Sequence, residues 1–403
     1  MPLNCRGFLV KFVGALGTAR PTFLAFFWAE DPIRISQDSL QSKGSLPDVL
    51  QLAEIRVQHR QNHLLPARPG QTQSFVVRRY SPGLRTQWDA FIKKSKNGTF
   101  LFQRGYMDYH SDRFLDYSLM IYRGSKLAAV IPANLEAPAA VLSHGGLTYG
   151  GLVTPPEATL SQVIACFHAV LSYLADHAIF TLGYKRIPSY YSQRPTDDVA
   201  YALFLLDARL HRRECSLVIP LADRLPFQKR RKRQVRKAGR ANLSLRQETD
   251  FRPFWERVLI PRLLSRYQVK PVHNAAEISL LASQFPQSIK QFSAYDGEEI
   301  VAGITIYETE TVAHAQYIAA TEKGRQTGAL DCLVAWLLNE RYGEKDFFDF
   351  GGSNEQQGRA LNHGLLEWKE GFGARCRSLD FYEIPTANFA KLEPVLASNL
   401  SVC

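Results

Sequence analysis

Apolar and polar positions change rhythm along this chain, and each change marks an element. Two apolar runs, Asp116–Arg123 and Lys126–Ala133, meet at Arg123-Gly124-Ser125 and predict a pair of joined strands. Leu147–Val153 predicts another strand, with Gly150 and Gly151 where a ligand or a second backbone comes close. Leu160, Val163, Ile164, Phe167, Val170, Leu171 and Leu174 then recur at helical spacing behind Pro155-Pro156-Glu157. A strand near Phe180–Tyr184 follows.

The same order returns further on. Gln291–Tyr295 and Ile300–Tyr307 predict a hairpin about Asp296-Gly297. Val312–Ala320 is the next strand, followed by a loop holding Gly324 and Gly328. Leu330, Leu333, Val334, Leu337 and Leu338 predict a helix, and Phe347–Phe350 a strand that ends in Gly351-Gly352. Letters agree as well: Tyr122-x-Gly124-x-x-Leu127-x-Ala129-x-Ile131 lies over Tyr295-x-Gly297-x-x-Ile300-x-Ala302-x-Ile304. A repeated element order carrying a repeated motif predicts two copies of one α/β unit. The expected division is a poorly ordered extension over 1–74, a first unit over 75–225, a second over 226–385, and a tail over 386–403. The extension has a short basic start and the small residues Ala15–Ala19, as a signal peptide would. Lys11 interrupts its apolar stretch, which argues against that reading.

Composition narrows the class. At 403 residues, 45% hydrophobic and 22% charged, the chain has a globular and not a fibrous or disordered make-up. No run of 18 uninterrupted apolar residues predicts a spanning helix. The six cysteines are scattered without paired spacing and read as reduced, buried thiols. Ten histidines form neither H-x-x-x-H nor H-E-x-x-H, so no metal site is expected. The net charge of +11 is concentrated: Lys229, Arg230, Arg231, Lys232, Arg233, Arg236, Lys237 and Arg240 fall in one short window, and without them it drops to +3. Such a strip points to a local phosphate or acidic partner rather than whole-surface adsorption. Neither helix-turn-helix spacing nor an RNA-binding aromatic motif accompanies it, so sequence-specific DNA binding is not expected.

Hairpin, strand, Gly-containing loop, helix, strand resembles the core of the GNAT acyltransferases, and tandem copies resemble their FemAB-like branch. The most specific stretch is Phe348-Asp-Phe-Gly-Gly-Ser-Asn-Glu355, continuing through Gly358, Leu361-Asn362, Gly364-Leu365 and Trp368-Lys-Glu-Gly-Phe-Gly373. It is similar to the closing motif of FemAB-like proteins, especially those associated with bacterial surface-polysaccharide biosynthesis. His314-Ala-Gln-Tyr-Ile318, Gly328-Ala-Leu-Asp331, Asp108-Tyr-His110-Ser-Asp-Arg113 and Tyr149-Gly-Gly151 add to the likeness. The resemblance implies a cytoplasmic N-acyltransferase acting on a nucleotide- or lipid-linked amino sugar, or on a peptide amine, with acyl-CoA as donor. A FemAB-type alternative uses aminoacyl-tRNA, and a third reading is a non-catalytic module that binds an acidic polymer. Against the GNAT donor loop, Arg325-Gln-Thr-Gly328-Ala-Leu330 keeps the first glycine but ends on leucine where a small residue is expected. The long helical arm often found in FemAB-like proteins is not legible here.

Acyl transfer to an amine needs an unprotonated amine, a stabilised oxyanion and an acid for the leaving group. No nucleophile elbow is present, so direct attack by the amine is expected. The resemblance makes Lys369 the leading candidate, for a developing oxyanion or a donor phosphate; the plain reading is a solvated lysine beside Glu370. Asp349 and Glu355 flank the glycine pair at a strand end, where each either accepts the amine proton or caps the next helix. Alternation places His314 and Gln316 on one face of their strand and Tyr317 on the other. Donor contacts are expected from Arg325, Gly328 and Ala329, and from Arg233 and Arg236 on a basic helix. Acceptor contacts are expected from Tyr109, His110, Asp112, Arg113, Tyr149, Gln316 and Tyr317, with His144 a weaker candidate.

Overall fold

The computed structural model describes residues 74–397; the expectations for residues 1–73, and for Cys5 and Cys403, lie outside them. Three antiparallel strands, β1 (Phe75–Arg79), β2 (Leu119–Arg123) and β3 (Lys126–Ile131), form one sheet. The main sheet begins with the hairpin β4 (Asn134–Ala137) and β5 (Ala140–Leu142), then β6 (Thr181–Lys185) and β7 (Arg209–Pro220). It continues with β8 (Ser244–Glu248), β9 (Ile289–Asp296), β10 (Glu299–Glu308), β11 (Val312–Ala320) and β12 (Phe347–Gly352). The ribbon β13 (Asn354–Glu355) and β14 (Ala360–Leu361) precedes the last long strand, β15 (Arg375–Pro385). The ten strands of the main sheet run β4-β5-β6-β15-β7-β12-β11-β10-β9-β8.

That order interlocks the halves of the chain. β15 inserts antiparallel between β6 and β7, and β7 pairs antiparallel with β12. Each half's last strand therefore lies against the other half. The repeat read from the letters is structural too: the turns β2–β3 and β9–β10 both carry a glycine at positive φ, +59° at Gly124 and +62° at Gly297. Glycine takes that conformation without the Cβ clash other residues meet.

Among the helices that flank the sheets are α1 (Arg85–Lys94), α2 (Leu160–Asp176), α3 (Asp197–Leu205), α4 (Lys229–Arg240), α5 (Ala275–Gln284), α6 (Ala329–Trp336) and α7 (His363–Glu370). α2 starts at a capping box between Thr159 and Gln162, two residues beyond Glu157. Such a reciprocal cap contributes about 1 kcal/mol. The Leu/Val/Phe stripe of α2 packs on β2, β3 and β6, and α6 covers β10–β12 in the same way. A further core joins the halves, with Trp88, Phe102 and Tyr106 against Trp255, Leu259, Tyr307 and Tyr317. No helix among the described residues is long and apolar enough to cross a membrane.

Three expectations change. Leu147–Val153 lies where the strand was expected but bonds only at single bridges, Val130–Val153 and Gly150–Arg186. Gly150 packs directly on the Ser143 carbonyl there, a spacing no Cβ would fit. Alternation fails in β11 because of a bulge: Ala315 pairs with Ile306 and Tyr317 with Thr305, leaving Gln316 as the extra residue. Beyond the bulge the phase flips, so Tyr317 joins the junction core with Val312, while Ala313, Ala315 and Ile318 face α6. Finally, Cys215 and Cys376 are disulfide-bonded rather than reduced, with Cα atoms 5.3 Å apart. β7 and β15 are neighbours, so a pair 161 residues apart in sequence becomes adjacent. Cys166 and Cys332 are free.

Candidate active site

Pairing between the parallel strands β11 and β12 runs from Val312–Phe347 to His314–Asp349 and stops. β11 goes on to Ala320, whereas β12 turns through Gly351 at φ +72°. The strands part at the residue pair His314–Asp349, near the centre of the main sheet. Open α/β sheets place ligands at such strand ends.

Asp349 is 2% exposed and saturated with donors. Its Oδ1 accepts from Ser216 Oγ at 2.5 Å and from the Gly351 amide at 2.7 Å. Its Oδ2 accepts from the hydroxyls of Tyr190 at 3.2 Å and Tyr191 at 2.9 Å, and His314 Nδ1 lies 3.2 Å from the same oxygen. Burial alone would raise the carboxyl pKa; the charge and proximity of His314, with the Ser216 and Gly351 donors, outweigh it and hold Asp349 at about 2. A carboxylate so occupied orients its neighbours and has no lone pair to spare for an amine proton. His314, with about a tenth of its side chain open, is the titratable group beside it that can take one.

Lys369 is buried rather than solvated. It sits on α7, 1% exposed, and its Nζ donates to the carbonyls of Gly351, at 2.9 Å, and Gly352. Burial brings its pKa down to about 7, against a smaller upward pull from Asp349. In this arrangement the ammonium fixes the turn that carries Asp349. Glu355 is outside the cluster: it is exposed and accepts from Asn362 Nδ2 at 2.8 Å. Asn362, not Glu355, caps α7.

At the expected donor loop the chain packs on itself. Gly328, at φ +81°, precedes α6, and the Gln234 carbonyl of α4 lies 2.8 Å from where a Gly328 Cβ would stand. Ala329 is buried and Arg325 pairs with Glu322. Beneath the contact, Arg231 and Asp331 form a buried ion pair. Arg231 therefore leaves the basic face. Lys229, Lys232, Arg233, Arg236, Lys237 and Arg240 keep it, all exposed, while Arg230 pairs with Glu367 at 2.8 Å.

Of the acceptor candidates, Tyr149 is buried with its ring 4.5 Å from Tyr191, which links it to Asp349. Tyr109 and Arg113 gather about Glu277, Arg113 at 3.9 Å, and Asp112 is exposed beside Arg113 at 3.5 Å. His110 is buried against the ring of His273, 5.6 Å away. His144 is also buried, and the Phe114 ring neighbours both its ring and that of His110. Gln316 and Tyr317 together wall a cavity of about 50 Å³ between the halves of the chain. Sequence reading missed Ser216, Tyr190, Tyr191 and His273. The Tyr190-Tyr191 doublet is visible in the letters; nothing in them marks Ser216.

No family model matches the chain, and no curated protein matches it in sequence. Solved structures do. FemX superposes with a TM-score of 0.54 at 11% identity, covering 75% of this chain and 96% of that one. A conserved protein of unknown function from Bacteroides thetaiotaomicron VPI-5482 gives 0.51 at 10% identity, over 77% and 98%. L-PGS from Bacillus licheniformis gives 0.49 at 12% identity, over 83% and 98%. The chain shares its fold with FemX.

Proposed function

We propose, from that fold and the His314–Asp349 pair, that the chain transfers an acyl group to an amine by direct attack. The observation that carries this reading is the donor-saturated Asp349, with its Oδ2 3.2 Å from Nδ1 of a partly open imidazole at the point where β11 and β12 separate. His314 takes the proton of the attacking amine. Asp349 holds the ring and stabilises the imidazolium that forms, and Lys369 keeps the Gly351-Gly352 turn in place. The protonated His314 then returns its proton to the leaving group.

The donor loop's departure from the GNAT pattern, with Leu330 where a small residue is expected, favours aminoacyl-tRNA over acyl-CoA as the donor. The Gln234 carbonyl of α4 packs against Gly328 just ahead of α6, so a side chain at that position would meet backbone. The exposed cations of α4 offer a phosphate track instead. The acceptor is an amino group of an amino sugar or peptide in cell-envelope assembly. Calorimetric titration of acetyl-CoA and of aminoacyl-tRNA into the full chain tests the donor. Binding of the tRNA alone, with transfer of its aminoacyl group to an amine, is expected. Micromolar binding of acetyl-CoA, roughly −8 kcal/mol, overturns the tRNA version.

A further inference from the structure

The cavity between the two halves lies along β11 from His314 and has walls of unusual uniformity. They comprise Leu101, Leu147 and Val272, the phenols of Tyr106, Tyr307 and Tyr317, the Gln316 amide, the Thr148 hydroxyl and the His273 ring, with Gly146. None carries a formal carboxylate, ammonium or guanidinium. His273 is 4% exposed; its Nδ1 lies 2.6 Å from the Tyr317 hydroxyl, and its Nε2 has no partner in the protein. Burial holds the ring neutral, bringing its pKa down to about 4, against an upward pull from Glu277; Arg113 lowers it further.

We infer that this cavity is a subsite for a neutral carboxamide bearing a small apolar group, with His273 Nε2 and Gln316 as its hydrogen-bonding partners. The inference rests on the transferase reading above and specifies its acceptor. The aliphatic walls receive a methyl group, and the phenol, amide and imidazole groups answer an N–H and a carbonyl. A free ammonium entering the same space would lose its hydration and meet no counter-charge in the walls. Two sources present this chemistry: the acetamido group of an amino sugar and the backbone amide of a peptide.

Ligand-observed NMR on the full chain, with N-acetylglucosamine, N-acetylalanine methylamide and glucosamine as probes, tests the subsite. At least one acetylated probe binds 10-fold or more tighter than glucosamine, and whichever does identifies the source. His273→Phe and, independently, Gln316→Leu weaken that binding several-fold while thermal unfolding stays cooperative. If His273→Phe does not fold, Gln316→Leu carries the test. Equal binding of glucosamine, no binding of either acetylated probe, or unchanged binding in the folded variants overturns the inference. His314→Gln separates the two readings. It keeps probe binding if the subsite is real, and full turnover in that variant would sink the catalytic reading while leaving the subsite standing.

Discussion

Arg231 on α4 and Asp331 on α6 form a buried ion pair across one hundred residues of sequence, and the pair pins the basic helix over the start of α6. Burial lowers the Arg231 pKa and raises that of Asp331, each opposed by its partner. Removing one member strands the other charge. Asp331→Ala is expected to cost about 3–5 kcal/mol, whereas the double replacement Arg231→Met with Asp331→Leu comes out near neutral. Urea unfolding of the parent and the two variants measures the difference.

The dyad makes a kinetic prediction. His314→Gln and Asp349→Asn should each lower kcat/KM for transfer by about 10²–10⁴-fold. Combining them should add little, because the two act as one unit. Multiplying effects in the double variant would show that the groups work separately.

Three buried imidazoles give the fold an acid limit. Burial is the largest cause in each case, and it takes His110 to about 2, His144 to about 3 and His273 to about 4. Each binds its proton more weakly folded than unfolded, so their combined contribution is intact above about 6.5 and is lost as pH falls toward 4. With up to three protons taken up, stability should drop by as much as about 4 kcal/mol per pH unit in that window. Chemical denaturation between pH 7 and 4 reads the slope, and His110→Phe should flatten it.

Lys369 acts at the other end of the scale. Its folded pKa of about 7 lies below the unfolded value, so its share of stability rises from pH 7 toward pH 10. Lys369→Met should abolish that rise. A variant that keeps the alkaline rise would show that the lysine titrates normally.

For α4, tRNA affinity should fall steeply with salt, by a slope of about 0.7–0.9 per phosphate engaged. Arg233→Glu with Arg236→Glu should reduce that slope and weaken binding at least 10-fold, leaving the unfolding free energy within about 0.5 kcal/mol of the parent. Unchanged binding would move the footprint elsewhere.

Much of the fold was legible because it is local. The α2 stripe, the Asp296-Gly297 turn and the matching glycines at 124 and 297 need only neighbours in sequence to act. Asp349 and His314 were also found, since a glycine pair at a strand end and a polar residue in an apolar strand both stand out. What escaped depends on distant partners. Ser216 looks like any alternating strand residue until β7 lies beside β12, and the bulge at Gln316 follows from pairing with β10. The Cys215–Cys376 bond had no sequence signature for the same reason.

The exchange of last strands bears on how the chain is made. β6 belongs to the first half, yet its neighbour β15 lies nearly two hundred residues downstream, so that edge stays unpaired while the second half is still being synthesised. Closure over so long a loop is slow, because the entropy of joining the ends is lost before the contacts form. A nascent first half thus presents an open strand edge, a template for pairing with other chains. Supplied as a separate fragment, residues 75–225 would be expected to aggregate or to recruit a β15 from elsewhere.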